Sequence, residues 1–218
     1  MSWLERKIPL PVYTDPRDEK INTDTHLLGS ILAVAAFIFV LFLCKSMESL
    51  SLRGGMITYA VANILLYLSS TLYHALKKGN AKRIFRIFDH SSIYILIAAT
   101  YTPILTYVGS EECMNLLMAM WAIVVLGITV TILFWEKLKV VHVILYLIMG
   151  WLCVFFYSDI FPFIPEGIMK FMILGGISYT SGLLFYAVKK IPHYHGIWHL
   201  FVLMGSIFFY VGILIYLT

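Results

Sequence analysis

Apolar residues fall in long runs separated by short polar breaks. Seven runs can be read, at 27–44, 55–76, 88–108, 115–135, 140–158, 169–188 and 194–217, each 18 to 24 residues long. A helix rising 1.5 Å per residue crosses about 30 Å of hydrocarbon in about 20 residues. A barrel strand would alternate apolar and polar with period two, and the run from Trp121 to Phe134 shows no such alternation. Backbone groups in lipid have no water to bond, which leaves helices. The pattern therefore predicts an all-α integral membrane protein with seven transmembrane helices over residues 27–218. Residues 1–26 are expected to form a cytoplasmic polar tail.

The breaks between runs differ in charge, and the difference orients the chain. The tail carries Arg6, Lys7, Arg17 and Lys20; the second loop Lys77, Lys78, Lys82, Arg83 and Arg86; the fourth Lys137 and Lys139; the sixth Lys189 and Lys190. The intervening loops hold only Lys45, Arg53 and Lys170. Alternate segments thus total 13 basic residues on one side and three on the other. Basic loops stay in the cytoplasm, so the N-terminus is expected inside and the C-terminus outside. Six or eight spans would not put the basic loops on one face. Gly175, Gly176 and Gly182 in the sixth run, with Gly205 and Ser206 in the seventh, predict close helix packing there. No internal repeat is visible, so an inverted-repeat transporter is not supported.

Composition narrows the function classes. Of 218 residues, 61% are hydrophobic and 13% charged, against roughly 45–50% and 25% in soluble domains. Seven spans leave no room for a sizeable soluble module, so a nucleic-acid-binding domain, a Rossmann domain and a disulfide scaffold are all disfavoured. The expected partners are membrane lipids, with no nucleic acid and no obligate protein partner. The first 26 residues contain nine charges and three prolines. They lack the apolar core of a cleavable signal, so the first run is expected to act as a retained signal-anchor. Cys44, Cys113 and Cys153 form no metal-binding spacing and read as buried apolar residues.

Polar side chains inside such spans are costly, so their positions carry information. All seven histidines project toward the side predicted to be cytoplasmic. His195 and His199 are four residues apart and share a helix face. That spacing lets two imidazoles hold one ion, although an HxxxH at a membrane boundary also fits two interfacial histidines. His74 lies at comparable depth in the second run, with Ser70 four residues before it, and Asp89 opens the third. Three imidazoles with a water form the usual catalytic zinc arrangement; copper, iron and nickel also accept imidazole. His90 should point about 100° away from Asp89 on a helix. Asp89 has Arg86 and Lys82 as alternative partners. His142 and His193 are expected in the headgroup region.

Three motifs, SxxxH at Ser70 to His74, the run from Asp89 to Pro103, and HxxxH at His195 to His199, lie in order along the chain. Together they resemble the hemolysin III branch of the progestin and adipoQ receptor family, over essentially the whole chain from the first span. The resemblance implies seven helices with the N-terminus inside. It implies zinc held near the cytoplasmic face by His74, His195 and His199, with Asp89 positioning the zinc-bound water and Ser70 as the motif serine. It also links the chain to alkaline ceramidases, which implies hydrolysis of a lipid amide. The long tails of animal receptor members are absent, which gives a hormone-receptor role little support.

The chemistry follows from the donor set. Neutral imidazoles leave zinc its full charge, so a bound water can ionise near pH 7. Asp89 is placed to take that proton and Ser70 to orient the water or steady an oxyanion. The leading expectation is a zinc-dependent intramembrane hydrolase of lipid amide or ester bonds in the cell membrane. A non-catalytic, zinc-stabilised regulator of membrane state is the alternative, and a pore-forming haemolysin ranks last.

Overall fold

The computed structural model describes residues 2–13, 15, 17–135 and 139–218, the side chain of Lys139 apart. The described chain is helical: α1 (Trp3–Lys7), α2 (Arg17–Leu43), α3 (Leu50–Ala75), α4 (Asn80–Val108), α5 (Glu111–Leu133), α6 (Lys139–Trp151), α7 (Tyr157–Ile160), α8 (Glu166–Ala187) and α9 (Tyr194–Tyr216). Lys137 of the fourth loop lies outside the described residues. Among the described residues, six helices are long and apolar enough to cross a membrane, or seven if one bent pair counts as a single span. Ile31, Ile38, Phe42, Val125, Leu126 and Leu184 face outward, as a lipid solvent requires.

Helix α2 begins at Arg17, ten residues before the apolar run at 27. Asp15 Oδ1 accepts from the Arg17 amide at 2.8 Å, and Asp18 and Glu19 place acidic charge in the first turn, where the helix dipole favours it. Hydropathy registers only the part of a helix that lies in lipid, so this polar extension is invisible to it.

The fifth run, expected as one span over 140–158, is broken. The segments Val140–Val154 and Tyr157–Phe163 meet at a bend of 53°, with 3₁₀ turns at Leu152–Val154 and Phe161–Phe163. Tyr101 of α4 makes the break tolerable. Its hydroxyl donates to the carbonyls of Met149 (2.9 Å) and Gly150 (3.1 Å) and accepts from the Cys153 amide (3.0 Å). Freed backbone groups in a membrane are permitted only with such partners.

Helix α3 packs along α4, α8 along α9, and α2 contacts both α3 and α9. Small residues set the closest approaches. A Cβ on Gly55 would lie 2.8 Å from Pro103 Cα, and one on Gly205 would lie 2.6 Å from the Tyr179 ring. Hydroxyls then fix α9 against α3. Tyr67 donates to Ser206 Oγ at 2.7 Å, Tyr179 pairs with the same oxygen at 2.9 Å, and Tyr59 donates to the Ser206 carbonyl at 3.1 Å. Tyr59, Tyr67 and His74 recur along α3 at helical spacing, as do Ser206, His199 and His195 along α9. The register set by Ser206 therefore brings the histidines of the two helices to one level. Cys44 and Cys113 are buried and Cys153 is half-buried, all as free thiols.

Candidate metal centre

His74 sits in the last turns of α3, and His195 and His199 in the first turns of α9. Each can offer a ring nitrogen such that all three lie within 4.8 Å of one another. Ring centroids are 5.0 Å apart for His74–His195, 5.3 Å for His74–His199 and 4.6 Å for His195–His199. The rings of His195 and His199 stand near-perpendicular, at 89°.

The outer nitrogens are tied down. His74 Nδ1 donates to Glu19 Oε2 at 2.7 Å, leaving Nε2 buried with no partner among the described residues. His199 Nδ1 contacts the Asn22 carbonyl at 3.2 Å and Thr25 Oγ1 at 3.0 Å. A metal-binding histidine characteristically spends its second nitrogen this way, which fixes tautomer and ring direction. The donor set of three imidazoles, with His74 Nε2 left over, fits a zinc ion.

Glu19 was not anticipated from the sequence, because it falls in the stretch read as polar tail. The available signal was helical periodicity: Glu19, Asn22 and His26 recur on one face of α2. Glu19 Oε1 also pairs with Lys82 Nζ at 2.9 Å. Lys82 is itself buried, and it donates at 3.1 Å to each of the His74 and Leu76 carbonyls at the end of α3. Lys82 is therefore the partner of Glu19, not of Asp89. Replacing Glu19 by Gln should weaken metal binding by about 10–100-fold, the usual effect of losing such a hydrogen-bonded carboxylate. Competition titration against a chelator would measure it, and unchanged affinity would refute the role.

Asp89 lies on α4 close to His74 and Ser70. One carboxylate oxygen is 3.3 Å from His90 Nδ1. Ser70 Oγ is buried near that carboxylate and has no hydrogen-bond partner among the described residues. His90 turns aside: its Nδ1 meets the Arg86 carbonyl at 3.0 Å and its ring packs on Trp135.

Three other histidines depart from expectation or refine it. His142, expected among headgroups, is buried against Tyr94, whose hydroxyl lies 2.8 Å from its Nδ1; a buried phenol supplies the polar partner that water would have supplied. His193 Nδ1 reaches Asp18 at 2.7 Å. His26, read as preceding the first span, is inside the cluster, stacked on His199.

The N-terminal segment closes this end of the bundle. Arg83 Nε donates to the Ile8 carbonyl at 3.1 Å, and Arg86 donates to that of Pro9. Ile8 is fully buried. Tyr13 follows, with its ring edge-on to His195 at 6.5 Å. Tyr13 is also close to Tyr73, Tyr186 and Tyr194, and burial among these phenols pushes its hydroxyl pKa well above the ordinary value. It stays neutral.

Fold and site together define a multi-pass helical membrane protein with a three-histidine cluster near one end of its bundle. Residues 15–210 match the Haemolysin-III related family, and the chain belongs to that family. It is similar to the "Hemolysin-3 homolog" of Bacillus subtilis (strain 168), 35% identical with 92% of this chain and 94% of the relative covered. It is similar also to "Hemolysin-3" of Bacillus cereus, 34% identical with 92% of each covered. The human "Monocyte to macrophage differentiation factor" is 30% identical, with 73% of this chain and 68% of the relative covered. No solved structure matches the chain.

Proposed function

We propose that this chain is a zinc-dependent intramembrane hydrolase of lipid amide or ester bonds. The observation that carries the proposal is the convergence of His74, His195 and His199, with a carboxylate and an unpartnered hydroxyl close by. Bound zinc would supply a Lewis acid that polarises a carbonyl and activates water near neutral pH. The residues around it divide the remaining work. Glu19 holds the His74 ring so that Nε2 faces the cluster. Asp89 accepts a proton at its carboxylate as general base. Ser70 Oγ donates to the oxygen on which negative charge develops.

Catalysis is tested directly. Purified zinc-loaded protein should release fatty acid from ceramide or phospholipid vesicles and lose that activity on chelation. Absence of release from ceramides, phospholipids and acyl amides alike would reject the hydrolase.

The 13-to-3 division of basic residues supports an N-terminus in the cytoplasm and a metal layer near that face. A reporter fused after Thr218 should behave as external, and one placed among Lys77 to Arg86 as cytoplasmic. A cytoplasmic C-terminal reporter would reject this orientation.

One observation favours a second reading. His74 and His199 are only 2% and 1% exposed, and Tyr13 packs over His195. Such an enclosed centre suits a zinc that ties α3 to α9 in a non-catalytic regulator of membrane state.

A further inference from the structure

His26 lies on α2 and is 3% exposed. Its ring stacks on His199 with centroids 3.5 Å apart and planes 15° apart, and it meets the edge of Tyr67 at 5.1 Å. Both of its nitrogens are buried without a hydrogen-bond partner among the described residues. A neutral imidazole carries one N–H donor and one acceptor. Leaving both unmade in a buried position is unfavourable, so the ring points to a partner from outside the polypeptide.

That partner is not the ion held by His199. A ligating ring nitrogen needs the metal in its own ring plane. Two rings stacked with centroids 3.5 Å apart and planes 15° apart cannot both aim an in-plane nitrogen at one ion at a bond length of about 2.0–2.1 Å. His26 is therefore beside the metal site without belonging to its ligand set. It is near His74 and Asp89 as well as His199. Two further polar groups of this layer are buried and have no partner among the described residues, Asn22 Nδ2 and Ser70 Oγ. Asn22 Nδ2 can only donate, and Ser70 Oγ and His26 can each donate once. Such a set matches a group rich in acceptors.

We infer that His26 is a ligand-binding residue, hydrogen-bonded through its ring to a carbonyl- or carboxylate-bearing group that binds beside His74, His195 and His199. The inference rests on the metal reading of those three histidines. It assigns His26 to contact with the bound group and not to metal retention, and that separates it from a fourth ligand and from a ring kept only for packing.

The experiment uses the full chain in detergent, loaded with cobalt(II) and titrated with acetohydroxamate, with the cobalt visible spectrum as readout. His26→Phe keeps an aromatic ring against His199 and removes both nitrogens; His26→Gln keeps a donor and an acceptor. Both variants should hold cobalt at the parent stoichiometry. Acetohydroxamate affinity should fall about tenfold in His26→Phe, the worth of one good hydrogen bond, and should largely recover in His26→Gln. Unchanged affinity in His26→Phe would overturn the inference and leave the metal site standing. Loss of cobalt from His26→Phe, with its fold intact by circular dichroism, would make the ring a ligand and overturn it too. A parent protein that takes up no cobalt or zinc would overturn the metal reading itself.

Discussion

Replacing His195 by Ala should remove most of the metal. The purified parent is expected to hold about one zinc, with nitrogen ligands at about 2.0–2.1 Å. The variant would leave His74 and His199 alone, and two imidazoles do not close a stable site. The change should be specific, because His195 is only half-buried and lies near the start of α9. Ser206, farther along the same helix, keeps its bonds to Tyr67 and Tyr179, so α9 should remain docked on α3. Elemental analysis of parent and variant measures the loss. Stoichiometric zinc in a His74, His195 and His199 triple alanine variant would reject the assignment. Metal binding adds to stability when the unfolded chain lacks the site, so confirmed removal of zinc should lower the melting temperature. An unchanged melt would argue against zinc joining α3 to α9.

Asp89→Asn should separate chemistry from metal retention. The substitution keeps the shape of the side chain and removes the base. Three imidazoles already account for the ligand set, so the variant should fold and keep zinc, with affinity reduced by no more than about 10–100-fold. Hydrolysis, however, should fall by about 100-fold or more, the contribution typical of a general base. The measurement is fatty-acid release alongside metal content. A variant that retains zinc and hydrolyses lipid as fast as the parent would remove Asp89 from the mechanism. A parent inactive on ceramides, phospholipids and acyl amides, with zinc bound, would favour the regulator.

The spans and the His195–His199 pair were legible because each rests on a local regularity. Apolar length marks a crossing helix, and the i, i+4 spacing of His195 and His199 puts them on one face. His74 could be matched to them only by depth, which the Ser206 hydroxyl network turns into contact. What escaped lies where a tertiary partner alters the local rule. The bend after Trp151 is stabilised by Tyr101, some fifty residues earlier, and no pattern within 140–158 announces it. His142 is buried because Tyr94 receives it. Glu19 and His26 were missed because the polar stretch before residue 27 reads as a tail, whereas α2 extends through it as a helix.

That extension changes what counts as the minimal protein. A chain begun at Leu27 would retain every apolar run and all three clustered histidines, and by hydropathy it would look complete. It would lack the carboxylate that steers His74, the carbonyl that engages His199, the ring stacked on His199 and the counter-ion of buried Lys82. Insertion into a bilayer and the clustered histidines are thus encoded in the apolar runs, whereas groups that orient those histidines lie in the polar stretch before them. Trimming or tagging within residues 17–26 alters the wall of the site even though the membrane anchor is untouched.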